Sequence, residues 1–501
     1  QKAFLKGVFT NGPERELSSS SVRLSDLRFE LDNKTIEGYF YLTNLDDPFI
    51  DTRLKGSINL LHLLRMIPKH PFEQASGELD FDIEFKGKSE DLKTKAGYQN
   101  VYTAGDLGLT NIIAKFNSYP HIIGIKNAIC TFNKNDISIS DMSLSVGKNH
   151  INMSGIFRNL IGKMIFPDQA MYVQADLEMG NIFLEEILMA DQRNSGSSDQ
   201  GFIMPLLKDY KMELSLKAES MKYHRFHAKN ISSSIQWNYP LLTFSNSSLN
   251  FCSGTYTGNT SLNALSEKVW EIKTDSKIRN MNIDSLFYVF ENFSQDFITD
   301  KNLKGQISSD ISLLMQLDNH LNVLPASIIC DADLTVQNGE LNNFETMKKM
   351  ARFLDSENLD NVRFSEMKNH FLIFNQEIQI PDMTIVSTAG KIGISGKHAF
   401  DGHIEYHIAY PMKNLKKSKT DSDEAFGAIR KDPKGEMSVF LIIKGTTTDF
   451  KITYDKKKTG EKIVSDIQKE KKELKALFKK KDADQQQIKQ TQQEEQEYFD
   501  F

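Results

Sequence analysis

Cysteine is scarce in this chain of 501 residues: Cys130, Cys252 and Cys330 are the only three, they lie far apart, and no CxxC occurs. That spacing excludes a zinc knuckle and a thioredoxin-type pair, and the odd count argues against a disulfide framework. A charge excess of one sign is missing too. The 61 Lys and Arg stand against 67 Asp and Glu, a net charge of -6, which leaves none of the basic footprint expected for nucleic acid. No stretch reaches the ~20 apolar residues of a membrane span, and the longest runs, such as Val439–Ile443, are strand-sized. The chain opens on Gln1 with no basic segment leading into an apolar one. It is therefore expected to be a piece or processed form of a longer protein whose N-terminal anchor is missing. The sequence contains no GxSxG elbow, no GxxxxGK[ST] and no GxGxxG after a strand. No catalytic residue, cofactor or metal is expected, and the chain reads as non-enzymatic.

Alternation with period two fills this space. Hydrophobic residues make up 39%, below the ~45–50% usual for globular domains, so each strand is expected to have one apolar and one wet face. Aromatics are plentiful, with 33 Phe and 15 Tyr against 2 Trp, and they favour strands. Val22 and Leu24, then Leu27, Phe29 and Leu31, fall on one face; so do Ile137 and Ile139 with Met142, Leu144 and Val146, and Ile378 and Ile380 with Met383 and Ile385. Turn residues separate the paired runs at Asp32–Lys34, Gly147–Asn149 and Ala389–Lys391, the pattern of hairpins.

A weak internal repeat runs through these hairpins. Leu24–Gly38, Ile139–Gly155 and Ile380–Gly396 each read strand, turn, strand, Gly, and Phe244–Gly258 is a poorer copy. After three of them a strand passes into a short apolar helix, at Gly56–Leu64, Gly180–Leu188 and Asn280–Phe290. Copies recur roughly every 105–135 residues, which marks a multi-strand unit. Asp26, Asp141 and Asp382 hold matching places, which points to turn or strand-edge chemistry. A Ser/Gly/Asn-rich stretch, Asp191–Gln200, reads as a linker. A helix is expected from about Phe344 to Leu354, with Asn343 as N-cap. From Asp455 onward Lys456–Lys458, Lys471–Lys472 and Lys479–Lys481 alternate with acids, while Ile463, Ile467, Leu474 and Leu477 form a thin stripe. A marginal amphipathic, solvated helix and a disordered tail are expected there.

The stretch Asp331–Ile452 carries a resemblance. Asp331–Phe344 contains Asn338-Gly339; a helix follows, then Leu359–Ser365 with Val362-Arg-Phe364, then Gly390–Tyr406 with Ala399-Phe-Asp-Gly402, and finally Phe440–Thr446 with Gly445-Thr446. In order and spacing this resembles the C-terminal region of the AsmA family, over roughly residues 325–455. The Lys- and Asn-rich usage is similar to Bacteroidetes members. TamB is a relative, and the family is similar to eukaryotic bridge-type lipid-transfer proteins. The resemblance implies a mainly β fold: an elongated, curled antiparallel sheet forming a repeating β-groove, with a few short helices. With the linker, repeats and charged tail read above, the expected domains are 1–190 (groove repeats), 191–201 (flexible linker), 202–324 (a further repeat), 325–455 (the AsmA-like domain that the resemblance covers) and 456–501 (charged helix and tail). The resemblance also implies a periplasmic location, anchored to the inner membrane through the missing helix. Phospholipids or other envelope lipids would be the partners, in support of outer-membrane biogenesis.

The residues expected to face acyl chains are Leu27, Phe29, Met142, Leu144, Val146, Met383, Ile385, Ile392 and Ile394. An alternative is a scaffold for outer-membrane protein assembly that binds clients along an open sheet edge. Periodicity alone does not separate a groove from a sandwich closed by a second sheet. His403, Glu405 and His407 share a strand face and have metal-ligand chemistry, but a solvated face opposite Ile404, Tyr406 and Ile408 is the expectation. Tyr223–His227 reads as a mixed strand, and the terminal Tyr498–Phe501 as a docking peptide or plain tail.

Overall fold

The alternating runs form the strands expected of them. The computed structural model describes residues 2–66, 70, 72–117, 121–166, 168–188, 207–350, 360–411, 430–431, 437–455, 471, 473–488 and 490. As expected from the sequence, the fold is mainly β: an open, curled antiparallel sheet with a few short helices and a C-terminal helix. The chain divides into two units, Gln1–Tyr223 with Asn230–Thr243, and His224–Lys229 with Phe244–Phe501.

The first unit is a meander of β1 (Lys2–Thr10), β2 (Ser21–Leu31), β3 (Lys34–Thr43), β4 (Phe49–Asn59), β5 (Phe72–Lys88), β6 (Tyr102–Phe116), β7 (Ile122–Asn133), β8 (Asp136–Val146), β9 (Asn149–Arg158) and β10 (Met171–Phe183), each antiparallel to the next. One pairing departs from the antiparallel expectation: β11 (Tyr210–Tyr223) lies parallel to β10. A parallel neighbour cannot be reached by a hairpin and needs a long return connection, which here runs through residues 184–209. The expected linker at 191–201 falls within that connection and outside the described residues.

The internal repeat has a structural basis. In the first copy Leu24 pairs with Phe40 and Leu27 with Gly38, so Ser25 and Asp26 together oppose Tyr39. Ser140 and Asp141 oppose Ser154 in the second copy, and Pro381 and Asp382 oppose Ser395 in the third. Each recurring aspartate thus sits in a β-bulge, where two residues face one and the strand bends. Asn246 takes the place in the poorer copy, with a left-handed φ of 52° and its N–H donated to Asn259 Oδ1 at 2.8 Å.

The repeat glycines follow from the same bend. A Cβ on Gly38, Gly155 or Gly396 would overlap the carbonyl oxygen of Arg53, Gln174 or Glu405 on the next strand. Replacing any of these three by Ala is expected to cost about 1–3 kcal/mol through overpacking, measured by denaturant unfolding. Gly180, with nothing within 4 Å of its Cβ position, is the control, expected to change stability by less than about 0.5 kcal/mol.

Short helices follow the third strand of the repeats as expected: α1 (Leu60–Met66) after β4 and α4 (Leu184–Leu188) after β10, with α2 (Lys95–Tyr98) and α3 (Leu160–Ile165) between them. Each of the first pair folds back on its own hairpin turn. His62 Nδ1 lies 2.8 Å from Asp32 Oδ2, and Glu186 accepts from the Lys148 N–H at 2.6 Å. Because β4 and β10 run in the same direction, α1 and α4 line one rim of the first unit's sheet.

The second unit contains β14 (Gly254–Ser266), β15 (Val269–Asn282), β16 (Leu303–Asp318), β17 (Val323–Asn342), β18 (Asn361–Phe374), β19 (Glu377–Ser387), β20 (Gly390–Ala399), β21 (His403–Pro411), β23 (Met437–Thr446) and β24 (Phe450–Tyr454), an antiparallel meander with the two-residue β22 (Arg430–Lys431) beside β23. The strands β12 (Phe226–Asn238) and β13 (Leu241–Phe251) contribute residues to both units. Helix α5 (Ile283–Val289) follows β15 and α6 (Glu345–Met350) follows β17. The expected helix at 344–354 is thus described over Glu345–Met350; the rest of it lies outside the described residues.

A final helix, α7 (473–488), corrects the expectation of a solvated helix. It lies on the wet face of the second unit, where Leu474 covers Leu372, with Ile329 and Phe374 alongside. Lys481 reaches the buried Glu271 at 2.9 Å, Asp482 pairs with the buried Lys273, and Gln485 donates to Ser261 at 2.7 Å. Ile463 and Ile467 of the expected stripe, and the tail from 491, lie outside the described residues.

Candidate functional site

Strand register decides which residues share a face, since opposed residues in a ladder point the same way and successive ones alternate. In the first unit the registers can be followed from strand to strand. One row runs Leu5, Leu27, Gly38, Leu54, Ile83, Gly105, Phe132, Ile137, Phe157, Val173, Met212. The next runs Phe29, Ile36, Gly56, Phe81, Leu107, Cys130, Ile139, Gly155, Ala175, Leu214. A third joins Ile58, Leu79, Leu109, Ala128, Met142, Met153, Leu177 and Leu216, and a fourth Ile112, Ile125, Leu144, Ile151, Met179 and Ala218. None of these four rows contains a polar side chain.

The opposite face is its complement. The row Arg28, Glu37, Lys55, Asp82, Asp106, Thr131, Ser138, Ile156, Gln174, Glu213 has one apolar member. Ion pairs knit it, such as Arg53 with Asp82 at 2.8 Å. That guanidinium holds the Asp82 carboxyl below its usual range.

The bulges keep the apolar face continuous. A two-for-one step between Leu24 and Leu27, or between Ile139 and Met142, leaves apolar residues on the same side although three positions separate them. The face is only partly covered by its own chain. Leu27 and Met142 are buried, Leu144 and Val146 half-buried, and Phe29 keeps 38% of its surface exposed. Among the described residues every strand belongs to a single sheet. Helix α1 covers one end, packing Leu60, Leu63 and Leu64 against Leu31, Ile36 and Leu79.

The second unit differs along its length. Toward its C-terminal end Met383, Ile394, Ile408, Leu441 and Tyr454 form one row, with Ile385 opposite Ile392 beside it. Here Met347 and Met350 of α6 complete a closed core with Ile392, Ile404, Tyr410, Val439, Leu441 and Ile443, the last four almost without exposure. Of the expected acyl-facing residues, Ile392 belongs to this core and Ile394 packs against it. Met383 and Ile385 stay half-buried, Ile385 beside Ile283, Val336 and Phe364. Register therefore joins Leu27, Phe29, Met142, Leu144 and Val146 on one face of the first unit, and the remaining four on one face of the second.

The polar candidates separate. His403 is exposed beside Asp401, whereas His407 is buried between Asp455 at 3.0 Å and Glu405 at 3.4 Å. The expected solvated face thus holds for His403 and fails for His407, because β24 brings Asp455 over it. Lys444 donates to Glu405 at 2.7 Å and keeps that carboxyl below its usual range. Among the described residues no three His, Cys, Asp or Glu are placed to hold a metal. Burial pushes all three thiols up, Cys252 to about 11 and Cys330 to about 12, the opposite of what an activated nucleophile needs. The expected mixed strand at Tyr223–His227 is instead a hairpin turn: β11 ends at Tyr223, His224 takes a left-handed φ of 48°, and Arg225 stacks over Tyr288 at 4.9 Å before β12 begins at Phe226. Among the described residues no helix is long and apolar enough to cross a membrane.

No family model, curated protein or solved structure matches this chain.

Proposed function

We propose that this chain is a non-enzymatic lipid-binding scaffold of the bridge type, related to the AsmA family and working in the periplasm of a Gram-negative envelope in support of outer-membrane biogenesis. One observation carries the reading: four apolar rows that stay in register across successive strands and keep a half-open surface. A face of that size left to water is costly at ~25 cal/mol per Å², and acyl chains relieve the cost at ~0.8 kcal/mol per buried methylene. Polar headgroups would remain on the water side. The protonated thiols and the absence of a catalytic motif fit a binding role.

A photo-crosslinking amino acid placed at Leu144 is expected to label phosphatidylethanolamine and phosphatidylglycerol from vesicles. The same group at Asp80 or Ser138, on the wet face, is expected to give less than about a tenth of that yield, since only the apolar face loses water to the ligand. Equal labelling of both faces would remove the reading.

A second reading rests on β1. Phe4 and Val8 are 55% and 67% exposed, and both pair with arginines, Arg28 and Arg23. An apolar edge of this kind suits strand addition by a client protein, and co-purification of such a client without lipid would favour it.

A further inference from the structure

On the second unit the apolar face carries a cluster of hydroxyls. Tyr256 and Thr260 of β14 and Thr274 of β15 share that face, in register with Ile278 and Leu313. Their three hydroxyls meet: Thr260 and Thr274 at 2.9 Å, and Tyr256 at 3.4 Å from each. A hydroxyl has one proton to give. Thr274 gives its own to the Asn259 carbonyl at 3.1 Å, so it accepts from Thr260. Tyr256 is left with two contacts that are long for O–H···O, whose usual distance is about 2.7–2.8 Å. Its proton is the one a better acceptor would take.

The repeat supplies an internal comparison. Two residues into the strand after each hairpin turn, the other three copies carry Ile36, Ile151 and Ile392, and only this one carries Tyr. Four residues further on they carry Phe40, Gly155 and Gly396 where this copy has Thr260. Thr274 has a counterpart in the first copy, where Thr52 occupies its place and donates to the Tyr39 carbonyl in the same way, at 2.7 Å, while the second and third copies carry Ala175 and Tyr406 there. Tyr256 and Thr260 are therefore the departures, and both place hydroxyls where the fold elsewhere uses hydrocarbon or nothing.

We infer that Tyr256 and Thr260 form a hydrogen-bonding station for the ester carbonyls of a diacyl lipid lying on this face. The inference rests on the lipid-binding reading and names the part of the ligand recognised. The row through Tyr256 continues as Ile278, Ser309 and Leu334 without a charge, so the site suits a neutral acceptor rather than a phosphate, which would call for a cation.

Tyr256→Phe and Thr260→Val remove the hydroxyls at nearly constant volume. The full chain, offered equimolar dioleoyl phosphatidylcholine and its di-O-alkyl ether analogue without carbonyls, is read by native mass spectrometry. The wild type is expected to prefer the diester about five-fold, the value of one ordinary hydrogen bond. In the double variant, with thermal melting unchanged, the preference is expected to fall to about one at the same total lipid load. A wild type that loads both lipids equally, or a double variant that keeps the preference, overturns the station and leaves lipid binding intact. A wild type that loads neither lipid overturns the lipid reading and the station with it.

Discussion

Leu144→Asp is expected to reduce bound lipid at least about ten-fold while lowering stability by less than about 1.5 kcal/mol, and Leu441→Asp to unfold the C-terminal part of the second unit. The two changes place the same carboxylate on two apolar surfaces that differ in what covers them. Leu144 is half-buried between Ile125 and Ile151, so without ligand its replacement can stay hydrated. An acyl chain crossing β8 would have to strip that hydration, and a carboxylate without a partner resists it strongly. Leu441 is 1% exposed inside the core closed by Met347 and Met350. A charge there, added to a lost leucine worth about 2–5 kcal/mol, exceeds what a domain of ordinary stability tolerates. Ile385→Asp is expected to behave as Leu144→Asp does. Lipid load by extraction and stability by urea titration separate the cases, and parallel loss of lipid and stability at Leu144 would contradict the open-face account.

Leu474→Asp is expected to release α7 and cost about 2–5 kcal/mol, because Leu474 and Leu372 bury each other almost completely. The ionic contacts sharpen the test. Glu271 and Lys273 are buried beneath the helix, and burial pushes the Lys273 ammonium down. Removing the partner of a buried charge typically costs about 3–5 kcal/mol. Lys481→Glu, which leaves Glu271 facing a like charge, is expected to detach the helix, and adding Glu271→Lys is expected to restore most of the loss. Hydrogen exchange over 473–488 reads attachment directly. A Lys481→Glu variant with unchanged protection would show that the ion pair does not hold the helix.

How much of this was legible in the sequence depends on distance along the chain. The hairpins, their turns and the strand-to-helix steps are local, and alternation with turn residues announces them. The recurring Asp26, Asp141 and Asp382 were visible as a pattern, but that they mark bulges requires the register. Long-range pairings left no comparable trace. Nothing near Met171 says that β10 takes a parallel partner, and the thin stripe around Leu474 gives no hint of Leu372. Lys481 and Glu271 stand 210 residues apart, and each alone reads as a solvated charge. His407 looked wet for the same reason, since Asp455 arrives from a different strand. The expected acyl-facing residues were found by period two, which assigns a face but not its cover; hence Leu144 and Ile392 look alike in sequence and differ in the fold. Tyr256 and Thr260 escaped because a hydroxyl in a strand suits either face, and only register places theirs among leucines and isoleucines.

The measurement that bears most directly on the apolar face is native mass spectrometry of the chain purified without detergent, followed by lipid extraction. Several phospholipids bound to each folded chain is the predicted result, because four rows in register offer more apolar length than one lipid covers. A well-folded monomer carrying no lipid would contradict it, since the apolar face would then be satisfied by the protein alone.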